Sequence, residues 1–326
     1  MPSPHFSNVL VFGATGEVCS AVALEAHALG ARVSIALRDT SKHNEWISPE
    51  QERAADLQRV KADLTDTEAV KRAVKETGAQ AAFIYAVHSG DMLRGAITAL
   101  RDVGIQYIVF LSTSQVRTAG FIEGDIRSIS RDYFIPWQDA QIEIALEELN
   151  MPHTAIRAGF FASNPLRLYL DQSSEPNSVD LLAPDMPHDP IDPADIGRAA
   201  AAVLVNPRLY KSDHQGSPSK NIVYLSGPAL LSQTEQWEII DLELMAAGKC
   251  KVEVNHITVE QYLENMAKRH VPDMIAKSLA KSMMETRPLY TSEDYEQQRL
   301  NVELLTGRKA VFFENFVERE IPRYFK

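Results

Sequence analysis

The chain has 326 residues, of which 45% are hydrophobic and 24% charged, and its formal net charge is −11. This composition supports a packed core, and the acidic balance gives no general attraction to nucleic acid or anionic lipid. Two cysteines are too few for a disulfide framework. The N-terminus lacks a basic signal-peptide region, and no stretch reaches the roughly 18 apolar residues of a membrane span. We therefore expect a soluble, cytoplasmic protein with no nucleic-acid or membrane partner.

The first half of the chain alternates short apolar runs with segments whose apolar residues recur every three or four positions. This alternation predicts a parallel sheet covered by helices on both faces. The predicted strands are Val9–Phe12, Arg32–Leu37, Leu57–Ala62, Ala81–Val87 and Tyr107–Leu111. The predicted helices between them include Val18–Leu29, Glu68–Thr77 and Met92–Val103.

The second half contributes two further strands and then becomes mostly helical. Residues 115–135 and 171–193 lack periodicity and are predicted to be loops. The predicted strands are His153–Arg157 and Asn221–Ser226. The predicted helices are Asp139–Leu149, Asp195–Val205, Gln233–Ala246, Val259–Arg269, Met274–Met284 and Asp294–Leu304. We predict an α/β fold with a Rossmann-like, doubly wound parallel sheet in residues 1–155. Residues 156–326 would form a smaller, mostly helical substrate lobe that returns strands to the sheet.

The first predicted strand runs directly into Gly13-Ala14-Thr15-Gly16, and a helix follows. A strand that turns on glycines into a helix is typical of a dinucleotide-binding unit, because the backbone can approach a diphosphate at the helix N-terminus. A tight turn without a ligand is the alternative. Two positions depart from the motif: Cys19 replaces the third glycine, and Glu17 places an acid in the first helical turn. That acid would repel a diphosphate unless it points into solvent.

Several ordered sequence pieces resemble the NmrA-like family of atypical short-chain dehydrogenases/reductases. They are V-F-G-A-T-G at 11–16, L-R-D at 37–39, A-D-L at 62–64, V-F-L-S-T-S at 109–114, T-A-I-R-A-G-F-F-A-S-N at 154–164, D-I-G at 195–197, L-S-G-P at 225–228 and F-E-N-F at 313–316. The resemblance implies a Rossmann-like sheet, a preference for NADP(H), and a small-molecule pocket roofed by the C-terminal lobe.

The predicted cofactor site combines residue chemistry with this resemblance. Arg38 closes the second strand, where an arginine accommodates the 2′-phosphate of NADP; Lys42 could assist, and a surface pair of Arg38 with Asp39 is the alternative. The resemblance implies that Asp63 and Leu64 contact adenine, although Asp63 could instead begin a helix. The predicted cofactor-binding residues are Gly13, Thr15, Gly16, Arg38, Asp63, Leu64, Val87, Ser112, Thr113 and Phe160.

The catalytic pattern of short-chain reductases, a tyrosine followed four residues later by a lysine, is absent. No lysine occurs between Lys75 and Lys211. Aligning back from Arg157 places Asp139 where many relatives carry the lysine. Proton transfer would then depend on other groups, for which Asp139, Gln141, Tyr133 and His153 are candidates. The resemblance also implies that Ser112 or Thr113 lies near the nicotinamide, and the predicted catalytic residues are Asp139, Tyr133 and Ser112. An ordinary helix N-cap is the alternative for Asp139.

Three functions fit these residues. The first is an NADPH-dependent oxidoreductase that acts on a small, largely apolar substrate without the Tyr–Lys pair. The second is a non-catalytic NADP(H)-sensing regulator with a protein partner. The third is a repurposed fold that catalyses isomerisation, elimination or cyclisation without hydride transfer. No spacing of His, Cys, Asp or Glu suggests a metal site.

Overall fold

A computed structural model describes residues 5–117, 125–171, 177–207, 221–285 and 292–325. Within the described residues, seven parallel strands form the main sheet in the order β10-β6-β5-β4-β1-β2-β3. These strands are β1 Asn8–Phe12, β2 Arg32–Leu37, β3 Gln58–Lys61, β4 Ala81–Tyr85, β5 Tyr107–Thr113, β6 His153–Ala158 and β10 Ile222–Leu225. The Rossmann-like α/β fold is confirmed. Part of the loop predicted at 115–135 lies outside the described residues.

Helices cover both faces of this sheet, so that its strands are buried on both sides as their apolar runs require. They are α1 Glu17–Ala28, α2 Pro49–Ala54, α3 Thr67–Thr77, α4 Arg94–Asp102, α5 Phe134–Glu148 and α6 Pro193–Val205. Helices α1 and α6 pack on one face of the sheet. Helices α3, α4 and α5 pack on the other. The sheet is therefore doubly wound.

The C-terminal half adds small strands and a helical lobe. The strands are β7 Leu170–Asp171, β8 Ser178–Leu181, β9 Pro187–His188, β11 Leu231–Ser232 and β12 Glu253–His256. The helices are α7 Gln233–Ala246, α8 Val259–Lys268, α9 Asp273–Met284, α10 Ser292–Gln298, α11 Asn301–Thr306 and α12 Phe313–Tyr324. A separate apolar core around Trp237, Tyr262 and Phe316 holds the lobe together. None of the helices in the described ranges is long and apolar enough to cross a bilayer.

Strand β6 crosses the predicted domain boundary at residue 155, and β10, far along the chain, pairs with it at the edge of the main sheet. The sheet therefore takes strands from both sides of the boundary. The division into residues 1–155 and 156–326 stays a prediction about organisation.

Some element predictions are wrong for local reasons. Helix α5 begins at Phe134 instead of Asp139, because Pro136 lies in its first turn, where its missing N–H needs no partner. The helix predicted at Asp294–Leu304 is two helices, α10 and α11. Strands β8 and β9 lie in the stretch predicted to be loop.

Helices α1 and α6 pack unusually closely because of Gly197. A Cβ atom at this position would lie 2.4 Å from the Ala21 Cβ and 2.7 Å from the carbonyl oxygen of Val18. Only a residue without a side chain lets the two helices approach to this distance. The D-I-G piece of the sequence therefore positions α1, and with it the turn that precedes α1.

We expect Gly197→Ala to lower the free energy of unfolding by about 1–3 kcal/mol through overpacking. This loss would occur although alanine has a higher helix propensity than glycine. Urea denaturation measures this effect. Gly90→Ala is the matched control, because a Cβ there meets no atom within 4 Å. Equal stabilities of the two variants would contradict the packing role of Gly197.

Candidate functional site

The turn between β1 and α1 depends on Gly13. Its φ is +74°, and a Cβ there would lie 2.4 Å from Cε1 of Tyr85. Both the left-handed backbone and the aromatic ring beside it exclude a side chain. Gly16 is the N-cap of α1 and has no side chain to cover the first amide groups of the helix. These amides and the helix dipole favour an anion at this end.

Two polar side chains hold this turn by its Ala14 carbonyl oxygen. Ser20 Oγ and Asn44 Nδ2 each donate a hydrogen bond to it at 2.6 Å. Asn44 Oδ1 also accepts a hydrogen bond from the Trp46 amide at 2.9 Å, which fixes the loop after β2. Sequence reasoning missed both residues, since Asn44 has no motif around it and meets the turn only in the folded chain.

A cleft of about 800 Å³ opens in front of this turn, at the carboxyl ends of the parallel strands. Ligands of open α/β sheets bind at this edge. The cleft is lined by these predicted cofactor residues: Gly13, Thr15, Gly16, Arg38, Asp63, Leu64 and Val87. Tyr85, His88, Leu111, Phe161 and Arg167 also line it. Seven predicted residues, scattered over 75 positions of sequence from 13 to 87, thus share one surface.

Arg38 and Lys42 are both exposed, and both line the cleft. The Asp39 carboxylate accepts hydrogen bonds from the Ser41 amide and hydroxyl, at 2.9 and 2.6 Å, which argues against an Arg38–Asp39 pair. The cleft is therefore lined by two cations of this segment.

The adjacent wall of the cleft carries Asp63. Its Oδ1 accepts hydrogen bonds from the amide and the hydroxyl of Thr65, both at 2.9 Å. The side chain that caps α3 is Asp66. The helix-cap alternative for Asp63 is therefore wrong, although its contact with adenine stays a prediction.

Three predicted cofactor residues lie outside the lining of the cleft: Ser112, Thr113 and Phe160. The neighbouring residues Leu111 and Phe161 line it in their place. The Phe160 ring packs against His188 at 4.2 Å, and the Thr113 hydroxyl accepts a hydrogen bond from the Gln115 amide. Alternation along β5 explains why Leu111 lines the cleft and Ser112 does not, since successive side chains point to opposite faces; it does not account for Thr113. The cofactor role of these three residues stays a prediction.

Ser112 belongs instead to a buried polar network. Its hydroxyl donates to Glu143 Oε1 at 2.6 Å. Arg157 binds the same carboxylate through two nitrogens, Nε to Oε1 at 3.0 Å and Nη2 to Oε2 at 2.6 Å. Arg157 Nη1 also donates to the hydroxyl of Tyr224 at 2.7 Å. The four side chains join β5, α5, β6 and β10, and each is at least 93% buried.

The other two predicted catalytic residues do not line the cleft either. Asp139 lies inside α5 and is 6% exposed, so it is not the helix N-cap. Burial first, and then repulsion from Glu143, raise the pKa of Asp139 well above its usual value, while Arg157 lowers it. Its surroundings therefore favour the neutral form of the Asp139 carboxyl group.

Tyr133 is the N-cap residue of α5, and its hydroxyl donates a hydrogen bond to Glu285. The ammonium group of Lys281 lies 4.3 Å from the centre of its ring. These contacts join α5 to the end of α9. The catalytic roles of Asp139, Tyr133 and Ser112 stay predictions.

The two departures from the glycine motif have different environments. Burial raises the pKa of the Cys19 thiol to about 12, so this cysteine is an unreactive packing residue. Glu17 does not point into solvent: its side chain is 8% exposed, and Oε2 lies 3.7 Å from Nη1 of Arg167. The Glu17 carboxylate therefore lines the cleft close to the first backbone amides of α1.

No group of three His, Cys, Asp or Glu side chains that could hold a metal ion occurs within the described ranges. The fold and the cleft define a Rossmann-like α/β protein whose glycine turn, helix N-terminus and cations suit an anionic nucleotide. The model of the NmrA-like family matches residues 6–303, and the chain belongs to this family.

The chain is 79% identical over 325 residues to a nitrogen metabolite regulation-like protein, bik4, of Gibberella fujikuroi, and the match covers 100% of both proteins. Two solved structures share the fold at low identity. Leucoanthocyanidin reductase of Vitis vinifera, a binary complex with NADPH, has a TM-score of 0.67 and 15% identity, covering 97% of this chain and 99% of that one. Triphenylmethane reductase of Citrobacter sp., complexed with NADP(H), has a TM-score of 0.65 and 16% identity, covering 97% and 99%.

We expect Glu143→Ala to lower the free energy of unfolding by about 3–5 kcal/mol, because it leaves the buried Arg157 guanidinium without its carboxylate. Glu50→Ala is the matched control, since the Glu50–Arg53 pair is exposed on α2 and contributes little. Chemical denaturation of both variants measures the difference. A small, equal effect in the two variants would contradict a structural role for the network.

We expect Asp139→Asn to change the pH dependence of stability. Because the folded pKa of Asp139 is raised, the wild type loses stability as pH rises above the unfolded value of about 4, by up to about 1.4 kcal/mol per pH unit. The amide does not titrate, so the variant gains stability relative to the wild type as pH rises. Parallel denaturation curves at each pH test this, and a constant difference would contradict it.

Proposed function

We propose that the protein binds NADP(H) in the cleft in front of α1. The observation that carries the proposal is the convergence of an uncapped helix N-terminus, a glycine turn closed by Tyr85, and the cations Arg38 and Lys42 on one cavity. A diphosphate suits the first feature and a 2′-phosphate suits the cations. Two solved NADPH or NADP(H) complexes with this fold support the same ligand.

We further propose that the bound dinucleotide is a signal and that the protein is a regulator. The three predicted catalytic residues do not line the cleft. The Ser112 hydroxyl is hydrogen-bonded to Glu143, the Tyr133 hydroxyl is hydrogen-bonded to Glu285, and Asp139 is buried in α5. The lysine that would activate a catalytic tyrosine is absent from this stretch of sequence. The close relative, which is described as a nitrogen metabolite regulation-like protein, supports this proposal.

A reductase is the second candidate. His88 is exposed and lines the cleft together with the Tyr85 ring, so its imidazole is a candidate proton donor inside the cleft. A conjugated substrate that accepts hydride with little protonation would need no proton donor beyond these two side chains. The two named reductases with the same fold favour this candidate.

Titration of the purified protein with NADPH and NADP⁺, followed by fluorescence, tests the binding. Incubation with NADPH and a panel of small conjugated or carbonyl compounds tests turnover through the absorbance of NADPH. We expect saturable binding without substrate-dependent oxidation. Oxidation that depends on both the protein and one compound would favour the reductase, and a lack of binding would contradict both candidates.

We expect Arg38→Ala to weaken NADPH by about 10- to 100-fold, since a charged hydrogen bond to phosphate contributes about 1.5–3 kcal/mol. Its affinity for NADH should stay unchanged, because NADH has no 2′-phosphate. Arg53→Ala, which removes an exposed arginine of α2 outside the cleft, is the control. An unchanged NADPH affinity in Arg38→Ala would reject the 2′-phosphate assignment.

A further inference from the structure

Glu17 and Arg167 form an ion pair between the two halves of the chain, and both line the cleft. Glu17 is the first residue of α1, and Arg167 lies in the helical turn Pro165–Tyr169 that follows β6. The carboxylate is almost fully buried, whereas the guanidinium is half exposed. Both side chains line the main cleft and also an adjoining cavity of about 540 Å³.

Charged and titratable groups face Glu17 from each element packed against it. They are Arg167 of the turn after β6, Asp192 at the start of α6, and Glu320 and Tyr324 of α12. Two of these are acids, and both are already bound by Arg319, to Asp192 at 2.9 Å and to Glu320 at 2.9 Å. Among the described residues, Arg167 is the cation that lies within ion-pair distance of the Glu17 carboxylate.

The Glu17 carboxyl group is poorly suited to carry a full charge in this place. Burial raises its pKa to about 7, and the neighbouring Ser163 hydroxyl and the charge of Arg167 only partly offset this increase. Its Oε2 atom is buried without a hydrogen-bond partner. A buried, unpartnered oxygen costs free energy when it is charged. Near neutral pH the group is poised between its two forms.

We propose that Glu17 and Arg167 form a diphosphate-responsive clasp. Arg167 is a ligand of the dinucleotide's diphosphate, and Glu17, its partner in the empty protein, takes up one proton from solvent when the ligand binds. This inference rests on the proposed binding of NADP(H) in the same cleft.

The physical reason is competition between two kinds of anion for the same donors. A diphosphate at the first amides of α1 approaches the end of the helix where the Glu17 carboxylate lies. Two anions close together in a partly buried place repel strongly, and protonation of the weaker acid removes this repulsion. A guanidinium binds phosphate oxygens in a bidentate manner, so the diphosphate is a better partner for Arg167 than a neutral carboxyl group.

The clasp couples ligand binding to the C-terminal half of the chain. Arg167 lies in the same turn as Leu166 and Tyr169, which pack into the core of the helical lobe. Transfer of the guanidinium from Glu17 to the diphosphate changes a contact between α1 and that turn. A regulator would use such a change to signal that the site is occupied, and the signal would strengthen as pH falls.

The sign of the pH dependence follows from linkage. Binding raises the pKa of Glu17 above its value of about 7 in the empty protein, so the complex holds more protons than the free protein above that pH. NADPH affinity should therefore fall as pH rises, by up to about tenfold per pH unit for one proton. The 2′-phosphate itself titrates near pH 6, but it contributes equally to every variant.

The experiment compares the NADPH affinity of the wild type, Glu17→Gln and Glu45→Gln from about pH 6 to about pH 9. This range spans the pKa of Glu17, which is about 7 in the empty protein. Glu45 lines only the adjoining cavity and is the control of equal charge. We expect Glu17→Gln to lose the extra decrease above pH 7 and to bind more tightly than the wild type at high pH. Glu45→Gln should follow the wild type.

Arg167→Ala provides the second measurement. It should weaken NADPH and NADH alike, by about tenfold or more, because both carry a diphosphate. Arg38→Ala should weaken only NADPH, and Arg53→Ala should weaken neither. This pattern distinguishes a diphosphate ligand from a general effect of positive charge.

Circular dichroism and denaturation establish that each variant is folded before its affinity is interpreted. Identical pH profiles of the wild type and Glu17→Gln, or unchanged affinities in Arg167→Ala, would overturn the clasp while NADP(H) binding stands. An absence of NADPH binding by the wild type would overturn the proposed function and the clasp together.

Discussion

The ion pair between Glu143 and Arg157 is the interaction on which the organisation of this protein depends. It joins α5 to β6, and its hydrogen bonds to Ser112 and Tyr224 extend it to β5 and β10. Strand β10 comes from the second half of the chain, so this carboxylate and guanidinium help to hold the edge of the main sheet. Buried charges are tolerated only when each has its partners, and here the partners include a hydroxyl that sequence reasoning assigned to catalysis.

This network also shapes the function. Side chains that bind one another in the core are not available to a substrate, and Asp139, the neighbour of Glu143 on α5, is enclosed with them. The cleft contains backbone amides, glycines and cations, which suit a dinucleotide, while the three predicted catalytic residues lie outside its lining. A cleft without these three predicted proton donors suits the proposed sensor, whereas His88 in its lining suits the alternative reductase. Glu17 adds a titratable group to this binding surface, and its burial gives it a pKa suited to neutral pH.

Much of the fold was predictable from local pattern. Short apolar runs followed by helical periodicity identify most strands of the first half, and α7 has the predicted bounds Gln233–Ala246. The wrong predictions concern segments with weak patterns. Strand β12 has the sequence E-V-N-H, with a single strongly apolar residue, and α10 and α11 share one periodic stretch that breaks near Leu300. Local pattern could not define the ends of these three elements, because those ends depend on packing against other parts of the chain.

The sequence by itself determined the strand–turn–helix unit, the position of Arg38 at the end of β2, and the absence of a lysine from the stretch that contains α5. Each of these follows from residue type and short-range spacing. The tertiary structure alone decided that Asn44 holds the Ala14 carbonyl, that Phe161 lines the cleft instead of Phe160, and that Glu17 meets Arg167. These contacts join residues up to 150 positions apart. Burial and proximity of that kind are properties of the folded chain, and residue spacing carries no record of them.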